Sequence, residues 1–438
     1  MKYLFLILTK IDKLRFPFIK LFLITLFVFL FSCKSSYIVE LPEEKIPDEQ
    51  IQKEIEVDRD SAFLDLIFKK KTKIALLLPI SGKYDKIGNE LLNAAHLSLY
   101  ENDPKNRIEL VVFDSKGTEF GARRAIREII SQDIKIVIGP LFSAATESVI
   151  DIVADHDIIL LSLSNNDNLQ GKKNIFVTGI DIEQQIERLV EYSMDKGLNS
   201  FSIVAPNNSY GLKVANSLRD VAKGKDGYFV ASSFYKNQDQ INKSVAKIIN
   251  SYSISQSAYD DLSDEDKEKS LAEIPISNED KIYSDVILVA DSGDNLDLVL
   301  NHIDENNIDK RAIQIIGLKE WDKMSTLYNV RANGSWFTSS NPDIYKKYEY
   351  LYYDHFKKIP NRVTSVVYDM VWSVINLSYD NGDVQIDDFI LEKSGFEGVD
   401  GSFRFLDNGI VQRNFAILEV TDNKFQIIDP DSRYFLKY

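Results

Sequence analysis

The 438-residue chain is 44% hydrophobic and 27% charged, with 19 glycines and 11 prolines; this is enough apolar material for two ordinary domains and excludes a fibrous or wholly disordered polymer. Its 67 acidic residues against 52 basic ones give a formal net charge of -15, which phosphate backbones repel, so nucleic acid is excluded as a partner. The single cysteine, Cys33, excludes a disulfide within the chain and a cysteine-built zinc site; His96, His156, His302 and His355 show no ligand spacing, so neither metal nor other cofactor is expected.

The N-terminus reads as an export signal over residues 1–32. Lys2, Lys10, Lys13, Arg15 and Lys20 precede an apolar run from 21 to 31. That run falls short of the roughly 20 apolar residues a membrane-spanning helix needs. It ends Leu30-Phe31-Ser32-Cys33, which resembles the bacterial lipobox. The resemblance implies acylation of Cys33, the alternative being a free thiol in an uncleaved anchor. Lys34 stands where an inner-membrane retention signal would place Asp, which points to the outer membrane and to its periplasmic side. Residues 33–71 follow as a lipid-anchored flexible linker. Ser35, Ser36, Pro42, Pro47 and dispersed charge leave no sustained period. A segment of this length spans roughly 35 Å root-mean-square. The apolar stretch 62–68 reads as a short helix docking on the body.

From Ile74 strands and helices alternate. The runs 74–78, 108–113, 136–138 and 158–161 are short and rich in Ile, Val and Leu, as strands buried on both faces of a parallel sheet require. Ile87, Leu91, Ala94, Ala95 and Leu99 share one helical face, as do Ala122, Ala125, Ile126, Ile129 and Ile130. The pattern restarts with strands at 201–205, 228–234, 286–290 and 313–316 and helices at 212–221 and 296–303. The fold class is therefore α/β, with two doubly wound parallel-sheet lobes and a ligand cleft between them. Residues 251–285 interrupt the alternation with Asp260, Asp261, Asp264, Glu265, Asp266 and Glu268. So long a polar connection is either a lid or a surface excursion with its own helix. It is also the candidate partner surface.

The segments KIALLLPISGKYDKIGNELLNAA (73–95), IKIVIGPLFSAATESV (134–149), DIILLSLSNND (157–167) and VAPNNSYGLKVANSL (204–218) resemble type I periplasmic binding proteins, which include the leucine/isoleucine/valine-binding protein. The polar insertion before DVILVADSGD (285–294), IIGLKEWD (315–322) and GFEGVDGSFRFLDNGIVQRNFAILEV (395–420) resemble that family's lipoprotein branch of penicillin-binding protein activators. The resemblance implies three crossings between lobes, with lobe one at 72–187 and 328–393 and lobe two at 188–327 and 394–438. For Trp321, Trp336 and Trp372 a core role is expected.

Ligands of such sheets sit beyond the carboxyl ends of the strands. That places Ser81, Gly82, Ser143, Ala144, Thr146, Ser164, Asn166, Tyr210, Asp291, Lys319 and Glu320 at the cleft. For the hydroxyl residues, helix capping is the alternative to ligand contact. By the resemblance, Ser143 matches the serine that holds a ligand carboxylate and Tyr210 a cleft tyrosine. Asn166 stands in place of a threonine. Lys319, or Glu320 one step on, stands in place of the glutamate that takes a ligand ammonium, and Lys319 there would repel it. No Gly-x-Ser-x-Gly elbow, phosphate loop or zinc-protease motif is present, so no enzyme is expected. Two functions stay open. One is an outer-membrane lipoprotein that stimulates a peptidoglycan synthase of the penicillin-binding protein class. The other is a lipoprotein that delivers an amino-acid-like ligand to an ABC importer.

Overall fold

The computed structural model describes residues 71–438 except 272–273, 275, 307–311, 382–383, 432–434 and 436–438. The expected export signal, Cys33, the docking helix at 62–68 and all but the last residue of the linker lie outside the described residues. No helix among the described residues is long and apolar enough to cross a membrane.

In chain order the first part runs β1 (Thr72–Leu78), α1 (Asp85–Asn102), β2 (Ile108–Asp114), α2 (Glu119–Ser131), β3 (Ile136–Ile138), α3 (Ser143–Glu147), α4 (Ile150–Asp155), β4 (Ile159–Ser162) and β5 (Ile175–Val177). These strands form one parallel sheet in the order β2-β1-β3-β4-β5. Alternate residues of its apolar runs face opposite sides, so each face carries its own core. Leu76, Leu78, Ile138 and Leu161 pack against Leu91 and Ala95 of α1. Ala75, Leu77, Val137 and Leu160 pack against Ala122, Ile126 and Ile129 of α2.

The second part runs α5 (Ile182–Asp195), β6 (Ser200–Pro206), α6 (Ser209–Gly224), β7 (Tyr228–Tyr235), α7 (Ile241–Asn250), β8 (Ser253–Ile254), α8 (Gln256–Asp260), α9 (Asp264–Lys267), β9 (Lys281–Ile282), β10 (Val286–Val289), α10 (Asp294–Asn306), β11 (Gln314–Gly317), α11 (Met324–Leu327) and β12 (Trp336–Ser339). Then follow α12 (Pro342–Phe356), α13 (Thr364–Asn381), α14 (Ile386–Leu391), the hairpin β13 (Phe403–Phe405) with β14 (Val411–Arg413), and finally β15 (Ala416–Thr421) and β16 (Lys424–Asp429). The second sheet has the order β16-β15-β12-β11-β10-β6-β7; β12 to β7 are parallel, and β15 and β16 add an antiparallel edge. The insertion is a surface excursion: β8 pairs antiparallel with β9, and the two short helices α8 and α9 lie between them in sequence.

The lobe boundaries differ from the expected ones at every crossing. Helix α5 belongs wholly to the second lobe, since Ile182, Ile186, Leu189 and Val190 pack with Phe201. Strand β12 stays in the second lobe because it pairs with β11 and β15. Conversely Phe396, Phe403, Phe405 and Val411 bury themselves with Phe176 in the first lobe's core, and Ile410 bridges Val177 at its sheet edge. The first lobe is thus 72–181 with 340–414, and the second 182–339 with 415–438. The tryptophans serve the cores. Trp321 is buried in the second lobe, Trp336 meets Tyr192 edge-on at 5.0 Å, and Trp372 meets Phe396 at 5.7 Å.

Candidate cleft site

Hydroxyl groups knit the first lobe's wall. The loop after β3 delivers Ser143, the loop after β4 delivers Ser164, and their Oγ atoms lie 2.7 Å apart. One layer deeper, Thr146 Oγ1 is 2.9 Å from Ser162 Oγ, and Thr178 Oγ1 donates to the Ser162 carbonyl at 2.8 Å. This ladder fixes the three loops to one another. Gly179 lets the last of them close in, because a Cβ there would stand 2.6 Å from the Ser164 carbonyl oxygen.

The second lobe's wall rests on two turns. Tyr210 sits in the first turn of α6, which Asn208 caps by accepting the Gly211 N–H at 2.9 Å. Beyond β11 a 3₁₀ turn carries Lys319, Glu320 and Trp321. Buried Gln185 of α5 accepts the Lys319 backbone N–H at 2.9 Å and Thr338 Oγ1 at 3.2 Å, and Trp321 Nε1 donates to the Asp291 carbonyl at 2.9 Å. The turn is thereby pinned at both ends.

Between the walls lies a cavity of about 580 Å³. Of the sequence-predicted residues, Ser143, Ser164, Tyr210, Lys319 and Glu320 line it. Asn166 lines an adjoining groove of about 430 Å³ with Ser143 and Tyr210, and its amide donates to Glu147 at 2.5 Å. The other five stand elsewhere. Thr146 is buried in the hydroxyl ladder and Ala144 faces outward. Ser81 donates to Asp114 at 2.5 Å, and Gly82 follows it outside the cavity. Asp291 accepts from Tyr235 at 2.5 Å and from Asn295 at 3.0 Å.

Sequence reasoning missed Gln185, Asp322 and Arg362, which line the cavity, and Asp400, which lies behind it. The signal for Asp400 was weak, an acid set between Gly398-Val399 and Gly401 and flanked by Phe396 and Phe403. The Lys319 ammonium does not stand free in the cleft, because it pairs with the Asp400 carboxylate. Burial alone would raise that carboxyl, yet Lys319 and Arg362 hold it below the ordinary carboxylate range. Glu320 lines the space together with Asp322, and its Oε2 is buried without a hydrogen-bond partner. Burial first, and the Glu320 carboxylate second, push the Tyr210 phenol above its usual range, so it remains a donor. Among the described residues no group of three His, Cys, Asp or Glu is placed to hold a metal ion. The arrangement presents a carboxylate oxygen on one wall and a hydroxyl pair on the other, over an apolar floor that includes Leu163, Ile180, Val363 and Val366.

Residues 71–424 match the profile of the periplasmic binding protein family. An uncharacterised protein of Rickettsia prowazekii is 26% identical over 249 residues, covering 56% of this chain and 60% of the relative. Penicillin-binding protein activator LpoA of Vibrio antiquarius is 26% identical over 192 residues, covering 42% of this chain and 31% of the relative. The chain therefore spans about a third of the curated LpoA it matches. Among solved structures, a putative branched-chain amino acid ABC transporter from Rhodospirillum rubrum aligns with a TM-score of 0.65 at 14% identity, over 82% of this chain and all of that one. The C-domain of LpoA from Haemophilus influenzae, a regulator of PBP1A, aligns with a TM-score of 0.58 at 16% identity, over 81% of this chain and 99% of that domain. Both structural likenesses are likenesses of fold.

Proposed function

The chain belongs to the periplasmic binding protein family, and on that footing we propose that it is a non-enzymatic activator of a peptidoglycan synthase of the penicillin-binding protein class, held at the outer membrane by a lipid on Cys33. The observation that carries this reading is that penicillin-binding protein activators match in sequence as well as in fold. The putative branched-chain amino acid ABC transporter from Rhodospirillum rubrum matches in fold, at 14% identity. The cleft chemistry agrees with this assignment. Lys319 and Arg362, two cations that line it, are both committed to carboxylates of the protein. On this reading the lobes are a scaffold for contact with a macromolecule, which is too large to enter a gap of this volume.

The test is affinity capture from the native envelope with the mature lipoprotein as bait, followed by identification of the bound proteins. A peptidoglycan synthase is the expected capture. Recovery of importer membrane subunits in its place would transfer the assignment to solute delivery. That second reading has its own support in Glu320, whose unpartnered carboxylate oxygen suits the ammonium of an amino-acid-like ligand. The anchor is tested separately. Cys33→Ala should leave unprocessed or mislocalised precursor, and a native mature protein with an unmodified Cys33 by mass spectrometry would remove the lipid from the proposal.

A further inference from the structure

The two lobes are bridged by ions that belong to the protein itself. Asp400 lies in the first lobe, in the loop between Phe396 and Phe403, and is fully buried. Its carboxylate pairs with Lys319 Nζ, which reaches over from the second lobe's 3₁₀ turn and is only 10% exposed. The same carboxylate accepts from Ser365 Oγ on α13 and, at 3.3 Å, from Ser340 Oγ at the second crossing. A second bridge runs the opposite way. Arg362 Nη2 of the first lobe lies 2.6 Å from Asp322 Oδ2 of the second, and Asp322 also accepts from Ser339 Oγ at 2.5 Å. Arg362 joins the two bridges: its Nη2 stands 3.8 Å from Asp400 Oδ1, and its guanidinium lies 3.4 Å over the Tyr345 ring. Each cation therefore faces an anion of the other lobe.

We infer that these four charges form a latch that holds the lobes at one angle without a bound ligand. Swinging the lobes apart draws Lys319 away from Asp400 and Asp322 away from Arg362. Asp400 stays behind in the first lobe's wall, enclosed by Ser365, Ser340 and the Phe396–Phe403 loop, so it loses its cation without gaining full hydration. Separating such a pair costs far more than separating an exposed one, because the Coulomb attraction is unscreened and the stranded charge remains desolvated. Hinged two-lobed proteins close on a ligand because the ligand supplies the contacts that join the lobes. Here side chains supply them. The inference concerns the lobe angle alone and stands whichever macromolecule the protein acts on.

Spin labels at the exposed positions Lys86 and Asn216, introduced as cysteines in the full chain carrying Cys33→Ser, report the distance between lobes by double electron–electron resonance. The otherwise unaltered chain should give one narrow distance, unchanged between low and high salt because buried pairs are weakly screened. Lys319→Met keeps the apolar stem and removes the charge. Arg362→Gln acts on the more exposed bridge, where the fold is at less risk. In each, with circular dichroism preserved, the distribution should widen by roughly twofold or shift to longer distance as open states gain population. A broad or salt-dependent distribution in the parent chain overturns the latch, as does a narrow, unmoved distance in both folded variants.

Discussion

Asp369 and Asp400 are both fully buried carboxyls of the first lobe, and their surroundings drive them in opposite directions. Burial pushes Asp369 up to about 7, against the pull of Arg413, whose Nη1 lies 3.4 Å away. Asp400 is equally desolvated but has two cations and two hydroxyls, and it stays ionised. A carboxyl raised on folding favours the folded state while it is protonated. Its contribution is fully present below the unfolded value of about 4 and is lost as pH rises through the folded value, at no more than about 1.4 kcal/mol per pH unit. We therefore expect the melting temperature to carry a component that declines from about pH 4 to about pH 7, and Asp369→Asn to flatten it. Parallel melting profiles for the two proteins would exclude Asp369 as the source. Gly317 makes a steric rather than an electrostatic argument. A Cβ there would fall 2.2 Å from the Trp321 indole, and that indole anchors the turn bearing Lys319 and Glu320. Gly317→Ala should cost roughly 1–3 kcal/mol, read as a lower urea midpoint, because a packed ring cannot yield that far without repacking. An unchanged midpoint would mean the turn is free to shift.

At the scale of elements, the insertion between α7 and β10 separates from the lobes in its energetics. Its buried residues are few, Ile254 and Ile274 among them, and Lys269 pairs with both Glu265 and Asp266. Shortening it across 255–278 should leave the melting temperature nearly unchanged, because surface excursions contribute little to a core. Asp261, Asp264 and Glu268 are exposed and can steer a basic partner, so on the proposed function the shortened protein should capture the synthase less well than the parent at low salt, with the deficit shrinking at moderate salt. Undiminished capture at both would place the contact on the lobes. The elements themselves were legible because their causes are local. Leu76 to Leu78 and Val286 to Val289 announce strands by apolar runs, and Leu91, Ala94 and Ala95 announce a helix by spacing. The crossings were not legible in the same way. Whether β12 or the β13–β14 hairpin belongs to one lobe depends on which distant surface it covers, and nothing in Trp336–Ser339 or Phe403–Phe405 encodes that partner. The same limit hid the charge cluster, since Lys319 and Asp400 are 81 residues apart and neither belongs to a periodic pattern. Ser143, Ser164, Tyr210 and Glu320 could be placed at the cleft because strand ends fix loop positions.

At the scale of the molecule, the latch and the cleft compete for the same cations. A free amino acid brings a carboxylate and an ammonium together, and a tight site must meet both charges after stripping their water. Glu320 is available for the ammonium, with its buried Oε2 unpartnered. For the carboxylate, Lys319 is spent on Asp400 and Arg362 on Asp322, the exposed Lys323 is held to Ser292 Oγ at 3.1 Å, and Ser143 and Ser164 already share a hydrogen bond. Releasing Lys319 would strip the buried Asp400 of its cation, and releasing Arg362 would unpair the half-buried Asp322, so the ligand would have to supply the cost of breaking a bridge before gaining its own contact. We therefore expect leucine, isoleucine and valine to bind the unaltered protein more weakly than a micromolar complex, whose free energy is about -8 kcal/mol. Titration calorimetry on the mature chain measures this directly. A micromolar or tighter complex would show that hydroxyls and backbone donors suffice for the carboxylate, and would move the protein from synthase activation to solute delivery. Weak binding that strengthens in Asp400→Asn, where Lys319 is released from its partner, is the pattern expected if the lobes are joined by their own charges and the cation is withheld from the ligand.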